Sequence, residues 1–400
     1  MNVFSISWNS LKASKLTAFL NILLISFGTG ILSILLLASY QVEQKLENNA
    51  RDIDLVVGAK GSPLQLILSS IFYIDFPTGN IPLKDAELLA SNRMVRRAVP
   101  LALGDNYNGF RIVGTDTNFI GLYNLKLSGG KFWKEDFEVT IGSNVAEKQK
   151  LNVGDKIYGA HGLASSSDTH GNNVYLVSGI LEPQANVTDN LVLTNISSVW
   201  KMHEKKQLVS NSSEIQPDLH EKEITSLLIQ YNSPTSIVLF PMMVNKSTNM
   251  QAASPAKETA RLFSLIGVGV DTLKWFAILI MSISAISVFI SLYNSLKERK
   301  YDLAIMRTMG ASRFKLFLIV LLEGIFLTTI GSLAGVLLAH FGLHLIAQYQ
   351  DSTQAKLSGT VFLIAELYIL IVGFGIGMMA SLIPAIQAYR SDISKILSKN

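Results

Sequence analysis

Cysteine is absent from all 400 residues. Its absence removes disulfides, thiol nucleophiles, cysteine-based zinc sites and lipidation at an N-terminal cysteine. No GxxxxGK[ST] run occurs either, so the chain has no phosphate loop with which to bind ATP. An HExxH pair is missing, and no Ser/His/Asp spacing argues for a hydrolase. Charge is sparse, with Asp, Glu, Lys and Arg making up 16% of residues. Four stretches carry none: Leu16–Val42, Trp275–Leu296, Gly324–Ala339 and Leu367–Tyr389.

What is present is apolar: 49% hydrophobic residues and a mean hydropathy of +0.34, concentrated in those four stretches. A helical run of ~20 residues crosses a hydrocarbon core of ~30 Å. The first, second and fourth stretches are long enough alone. The third needs the flank Phe314–Leu322 and so carries Glu323 into the membrane. Between the second and third lie Lys297, Arg299, Lys300, Arg307, Arg313 and Lys315. Each cation at the membrane centre costs ~2.5–3.5 kcal/mol and all of them together roughly 15–20 kcal/mol, so this segment must emerge into water.

Lys12 and Lys15 precede the first span, and Arg390, Lys395 and Lys399 follow the fourth, whereas Lys356 is the lone cation between the third and fourth. The positive-inside rule then puts both termini and the basic segment in the cytoplasm. The long insertion Glu43–Lys274 faces outward. Its 22 Lys/Arg nearly balance its 24 Asp/Glu. The pI near 9.0 therefore reflects topology and implies no nucleic-acid partner. The first apolar run is too long for a signal-peptide core and has no small-x-small cleavage site, so it reads as an uncleaved span.

These features predict an α-helical four-span (1+3) bundle with a large α/β domain inserted between spans 1 and 2. Phe4, Trp8 and Leu11 recur at helical spacing beside Lys12 and Lys15, predicting an interfacial helix over 1–15 before a span over 16–42. A plain extension of the span fits the same residues. The inserted domain covers 43–257, with helical patterns at Lys84–Asn92 and Val145–Lys150 and strand-like alternation at Phe110–Val113, Val174–Ile180 and Ser236–Leu239. Gly159–Asn173 and Glu204–Glu223 read as loops. Ser62–Ile71, with Leu64, Leu68, Ile71 and Phe72 on one face, reads as a buried core helix or as a surface for lipid or a partner. From Ser254 a helical pattern runs on as a stalk and second span over 258–296. The basic segment then occupies 297–313, the third span 314–339, an outer loop 340–360, the fourth span 361–389 and a cytoplasmic tail 390–400.

The run from Glu298 to Ser312, ERKYDLAIMRTMGAS, resembles the "RxxEIGILRAIGAS" signature of FtsX-like permeases, the membrane subunits of type VII ABC transporters such as macrolide exporters and lipoprotein-releasing complexes. Glu323, the Gly331/Gly335 pair and the terminal Pro384–Arg390 fit the same pattern. The motifs cover about the last third of the chain, and the 1+3 topology extends the resemblance over the rest. The resemblance implies a non-catalytic inner-membrane subunit with a porter- and sabre-like outer domain, paired with a second permease copy or paralogue. ATP and Mg would be held by a separate cytoplasmic ABC ATPase dimer. ATP hydrolysis there would move the outer domain to export or extract a substrate from the outer face. The alternatives are a mechanotransducer that activates a cell-wall hydrolase, or a metal-linked transport component. Partners outside would be a periplasmic adaptor, a lipoprotein or a hydrolase, besides membrane lipid.

The residues expected to meet the ATPase are Tyr301, Leu303, Ile305, Met306, Arg307, Met309 and Gly310, with Leu303, Met306 and Met309 as apolar teeth seated in a groove. A lipid-surface amphipathic turn is the bland reading. Gly331-x-x-x-Gly335 and Gly373-x-x-x-Gly377 allow close helix approach. Glu323, as an intramembrane acid, is either functional or a hydrogen-bonding partner of a neighbouring helix end. His161, Asp168, His170 and His203 form a candidate zinc set in the inserted domain. His340 and His344, one helical turn apart, could share a zinc ion, though interfacial histidines are common and neither group has a supporting motif.

Overall fold

The computed structural model describes residues 2–161, 169–202, 222–349 and 357–391. They form two compact units, one built from Met1–Val42 with Ile266–Asp351 and Lys356–Asn400, the other chiefly from Glu43–Leu265.

Among the described residues four helices are long and apolar enough to cross a membrane: Lys15–Ala50, Pro255–Glu298, Arg313–Gln348 and Ile364–Arg390. A short helix, Val3–Ala13, precedes the first, and another, Lys300–Thr308, lies between the second and third. Asn2 caps the first short helix, its side chain accepting from the Phe4 amide at 3.2 Å.

Apolar side chains cannot drive helices together in lipid, so small residues and buried hydrogen bonds must hold the bundle. The third helix lies against the first along Gly331 and Gly335. A Cβ added at Gly335 would lie 2.0 Å from Thr29 Oγ1 and 2.6 Å from the Ser26 carbonyl oxygen, and one at Gly331 would lie 2.8 Å from Ile25 Cβ. The Ser26 hydroxyl donates to the Gly331 carbonyl at 2.9 Å. The third and fourth helices meet along two rows of small residues, Gly324, Thr328 and Ser332 against Gly373, Gly377 and Ser381. A Cβ at Gly373 or Gly377 would lie 2.0 Å from Ser332 Oγ or Thr328 Oγ1 respectively. Both glycine pairs therefore face neighbours within the chain. The second helix is tied to the first by Ser287, whose hydroxyl donates to Asn21 Oδ1 at 2.7 Å.

The third helix runs ten residues beyond the expected end of its span, to Tyr349. Leu343 and Ala347 continue its buried stripe, so the first half of the expected outer loop, 340–360, is helical. His340 sits inside this extension. Its Nδ1 is 2.8 Å from the Gly359 carbonyl, its Nε2 2.9 Å from Glu366 Oε1, and its ring stacks on Phe362 at 4.2 Å. Both ring nitrogens are thus engaged, while the exposed His344 is hydrogen-bonded to Gln348.

The other unit is built on one ten-stranded mixed sheet. Its path runs Met250–Ala253, Leu55–Ala59, Ser226–Tyr231, Val95–Tyr107, Phe110–Thr115, Leu191–Asn195, Glu138–Ile141, Thr169–Leu181 and Leu127–Gly130, with Lys156–His161 joining Val95–Tyr107 to Thr169–Leu181. Side chains alternate across a strand, so Val56 enters one core with Leu66, Ile71, Phe119 and Leu193, while Leu55 and Val57 enter another with Leu227, Phe240 and Val244. A third core gathers Ile112, Val139, Ile157 and Tyr175 under the far strands.

Ser62–Ile71 is a core helix, Pro63–Ser70, capped by Ser62, and the apolar residues it buries are Leu66 and Ile67, followed by Ile71 and Phe72. Leu64 and Leu68 of the expected face are only half-buried. Two expectations about this domain are corrected. The stretch read as a loop at Gly159–Asn173 is strand at both ends, because Lys156–His161 and Thr169–Leu181 pair with each other, and the expected loop Glu204–Glu223 lies outside the described residues up to position 221. Ser236–Leu239 is not a strand but the start of a helix, Ser236–Ser247. Ser236, Phe240 and Val244 are buried at a spacing of four, and this helical stripe outweighs the strand preference of Ile237 and Val238.

Two charged residues shape this domain, a buried Arg111 and a half-buried Glu138. Arg111 donates from Nη2 to the Asp75 carbonyl at 2.8 Å and lies over the Phe76 ring. Burial lowers its pKa, and the Asp75 carboxylate partly offsets that. Glu138 accepts from Lys131 Nζ at 2.7 Å and from the amides of Lys134 and Glu135 at 2.9 and 3.1 Å, which pull its pKa down to about 2.

Candidate functional site

The basic segment between the second and third membrane helices forms the short helix Lys300–Thr308. It ends where Gly310 turns left-handed at φ +96°. There the Met309, Gly310 and Ala311 amides donate to the Ile305, Arg307 and Met306 carbonyls, each at 3.0 Å. Ser312 then starts the third membrane helix, its hydroxyl accepting from the Lys315 amide at 3.2 Å.

The helix has two apolar faces. Leu303 and Ala304 are 7% and 2% exposed, and Leu303 packs with Leu296, Leu316, Ile319 and Val320, joined by half-buried Met306. Tyr301, Ile305 and Met309 stand at i, i+4 and i+8 on the other face and are 47%, 39% and 76% exposed. The expectation that Leu303, Met306 and Met309 act as one set of outward teeth is therefore corrected. Leu303 and Met306 root the helix in its own bundle, and the outward apolar stripe is Tyr301, Ile305 and Met309. Arg307 is half-buried, and Gly310 is exposed with nothing within 4 Å of an added Cβ.

Glu323 is buried in the third helix and meets Arg299, the residue just before the short helix. Arg299 Nη1 lies 3.5 Å from Glu323 Oε1, its Nη2 donates to the Ser10 carbonyl at 3.0 Å, and Nη1 also donates to the Ser10 hydroxyl. These groups line a cavity of about 270 Å³ together with Asp302, Leu303 and Ile319. Arg299 was legible as a flanking cation, but nothing in its neighbourhood in sequence pointed to Ser10 or Glu323.

Of the candidate zinc set, Asp168 and His203 lie outside the described residues. His161 ends one strand and His170 lies near the start of another, and their side chains are not described. Among the described residues no group of three His, Cys, Asp or Glu side chains is arranged to hold a metal ion.

Comparison with known proteins gives two family matches that follow one another along the chain. The profile of the MacB-like periplasmic core domain matches residues 18–239, and that of the FtsX-like permease C-terminal region matches residues 275–393. The chain is similar to the lipoprotein-releasing system transmembrane protein LolC of Buchnera aphidicola subsp. Schizaphis graminum, at 20% identity over 274 residues. That alignment takes in 66% of this chain and 64% of that protein. Among solved structures, the periplasmic region of MacB from Actinobacillus actinomycetemcomitans aligns over 55% of this chain and 98% of its own, at 11% identity and a TM-score of 0.33. The extracellular domain of the noncanonic ABC-type transporter YknZ from Gram-positive bacteria aligns over 50% of this chain and 99% of its own, at 13% identity and a TM-score of 0.31. With one profile matching more than half of the chain and the other most of the remainder, this is a multi-pass membrane protein that belongs to the FtsX-like, MacB-type permeases of type VII ABC transporters.

Proposed function

We propose that this chain couples ATP hydrolysis by a separate cytoplasmic ATPase dimer to movement of its inserted domain on the outer face of the inner membrane, working beside a second permease copy or paralogue. The movement expels or extracts a substrate already at the outer face. A lipid-anchored protein is the substrate class suggested by the relative from a lipoprotein-releasing system. The energy comes from the partner, because the chain has no phosphate loop. Both termini and the basic segment lie in the cytoplasm, where the excess of short-loop cations directs them. The histidines of the inserted domain are proposed to take no part.

The observation that carries this reading is the two-faced helix Lys300–Thr308. Its inner face is rooted in the bundle through Leu303 and Ala304, and its outer face presents Tyr301, Ile305 and Met309 among cations. An apolar stripe rimmed by charge, on a rigidly anchored helix, suits insertion into a groove of a soluble partner. The test is mild-detergent purification of the full-length chain with whatever ATPase accompanies it. Ile305→Asp and Met309→Asp should leave the chain in the membrane but remove the ATPase, or its chain-dependent activity. Retention of both at wild-type levels would sink the assignment.

A further inference from the structure

The outward stripe explains how the segment meets a partner but assigns no role to the charged cluster on its other side. Arg299, Glu323 and Ser10 come from three different pieces of chain. Arg299 precedes the short helix, Glu323 lies in the third membrane helix, and Ser10 lies in the N-terminal helix Val3–Ala13. One guanidinium reaches both others. The cluster sits in a seam where the N-terminal helix lies along the third membrane helix. On one side of Glu323 the Ser7 hydroxyl donates to the Ile319 carbonyl at 3.0 Å. On the other side Phe4 and Trp8 meet Phe326, with ring centroids 5.9 and 6.1 Å apart.

The mechanical consequence comes from the chain's path. The covalent link from the short helix to the third membrane helix passes through Gly310, whose left-handed turn has open space around it. A helix pushed at Tyr301, Ile305 and Met309 carries its covalent link to the second membrane helix through Glu298 and Arg299, but its link to the third can pivot on that turn. The apolar contacts of Leu303 are non-directional and permit sliding. The hydrogen-bonded, charge-paired link at Arg299 is directional and fixes the opposite end of the short helix. Stability alone does not call for such a pair, because apolar residues of similar size hold a buried site equally well.

We propose that Arg299 is a positioning residue. By joining Glu323 and Ser10 it makes the short helix, the third membrane helix and the N-terminal helix move as one body, so that an ATPase stroke reaches the third and N-terminal helices as well as the second instead of being absorbed at Gly310. This inference rests on the ATPase-coupled reading above. The test uses the full-length chain purified with its ATPase. Spin labels are placed at Leu88→Cys and Trp275→Cys, both exposed, in a chain otherwise free of cysteine. Three quantities are read: bound ATPase, ATP turnover, and the ATP-dependent change in label separation.

The double variant R299M/E323M should retain bound ATPase and turnover and keep at least the wild-type melting temperature, yet lose the change in separation. R299K, which keeps the charge opposite Glu323 but not the two-pronged donor, should shrink that change while binding the ATPase normally. A wild-type change in separation in either variant would overturn the proposal. Loss of bound ATPase in R299K would also overturn it, because Arg299 would then be a docking residue. If the unsubstituted chain carries no ATPase, the coupling reading itself fails, and the positioning role with it.

Discussion

Replacing Gly335 by alanine probes one of the tightest helix contacts in the bundle. The added Cβ would lie 2.0 Å from Thr29 Oγ1, 2.6 Å from the Ser26 carbonyl oxygen and 3.0 Å from the Gly30 amide nitrogen. Rotation of Thr29 relieves the first contact at the cost of its 2.8 Å hydrogen bond to the Ile25 carbonyl. No rotation relieves the second, because the Ser26 oxygen belongs to backbone and also accepts from Thr29 at 3.4 Å. The two helices must separate by about 0.4 Å merely to reach the shortest contact that a Cβ tolerates. Overpacking of this kind costs about 1–3 kcal/mol. The better helix propensity of alanine returns less than about 1 kcal/mol. Gly375→Ala is the control, since nothing lies within 4 Å of a Cβ there, and it should be neutral or mildly stabilising. Unfolding of the detergent-solubilised chain, followed by helical signal against temperature and against a denaturing detergent, should place Gly335→Ala clearly below wild type and Gly375→Ala at or above it. Equal stability of the two variants would refute the close packing of the first and third helices.

Leu303→Ala removes a core side chain and should cost about 2–5 kcal/mol, whereas Met309→Asp, at an exposed site, should change stability by no more than about 0.5 kcal/mol while abolishing ATPase-linked function. Parallel unfolding and ATPase measurements separate the two effects. Gly310→Ala places a side chain at φ +96° and should cost about 1–2 kcal/mol from backbone conformation alone, read by the same unfolding assay. Glu138 has a folded pKa of about 2, below its ordinary value of 4.5. Its contribution to stability is therefore complete above the ordinary value and is lost as the pH falls from about 5 towards 2. Glu138→Gln should flatten the melting temperature of the inserted domain across that window, and an unchanged pH profile would contradict the carboxylate clamp.

The membrane helices were legible because an uncharged run of some twenty residues has few soluble uses, and six cations between two such runs force an exit from lipid. Glu323 stood out by its charge alone. The orientation of the short helix did not, because the sequence offers apolar stripes on two faces, Tyr301/Ile305/Met309 and Leu303/Met306. Only the packing of Leu296, Leu316 and Ile319 decides between them. The glycine pairs were visible as motifs, but their partners Thr29, Thr328 and Ser332 were not, since small polar residues carry no periodic signal. Ser236–Leu239 misled because three consecutive apolar residues, Ile237, Val238 and Leu239, remain exposed, while the helix is specified by positions four apart. Arg299 was readable as a topological charge. Its fork onto Ser10 and Glu323 is a tertiary fact spanning more than 280 positions of sequence.

On the coupling proposal, the outward face of the segment after the second membrane helix touches an ATPase. Photo-crosslinking in intact cells addresses it directly, with a photoreactive residue placed at Ile305, Met309 or Leu303 in turn. Positions 305 and 309 should each yield an adduct with a nucleotide-binding subunit, and position 303 should yield none. Adducts with lipid alone from 305 and 309, or an ATPase adduct from 303 in their place, would contradict the account.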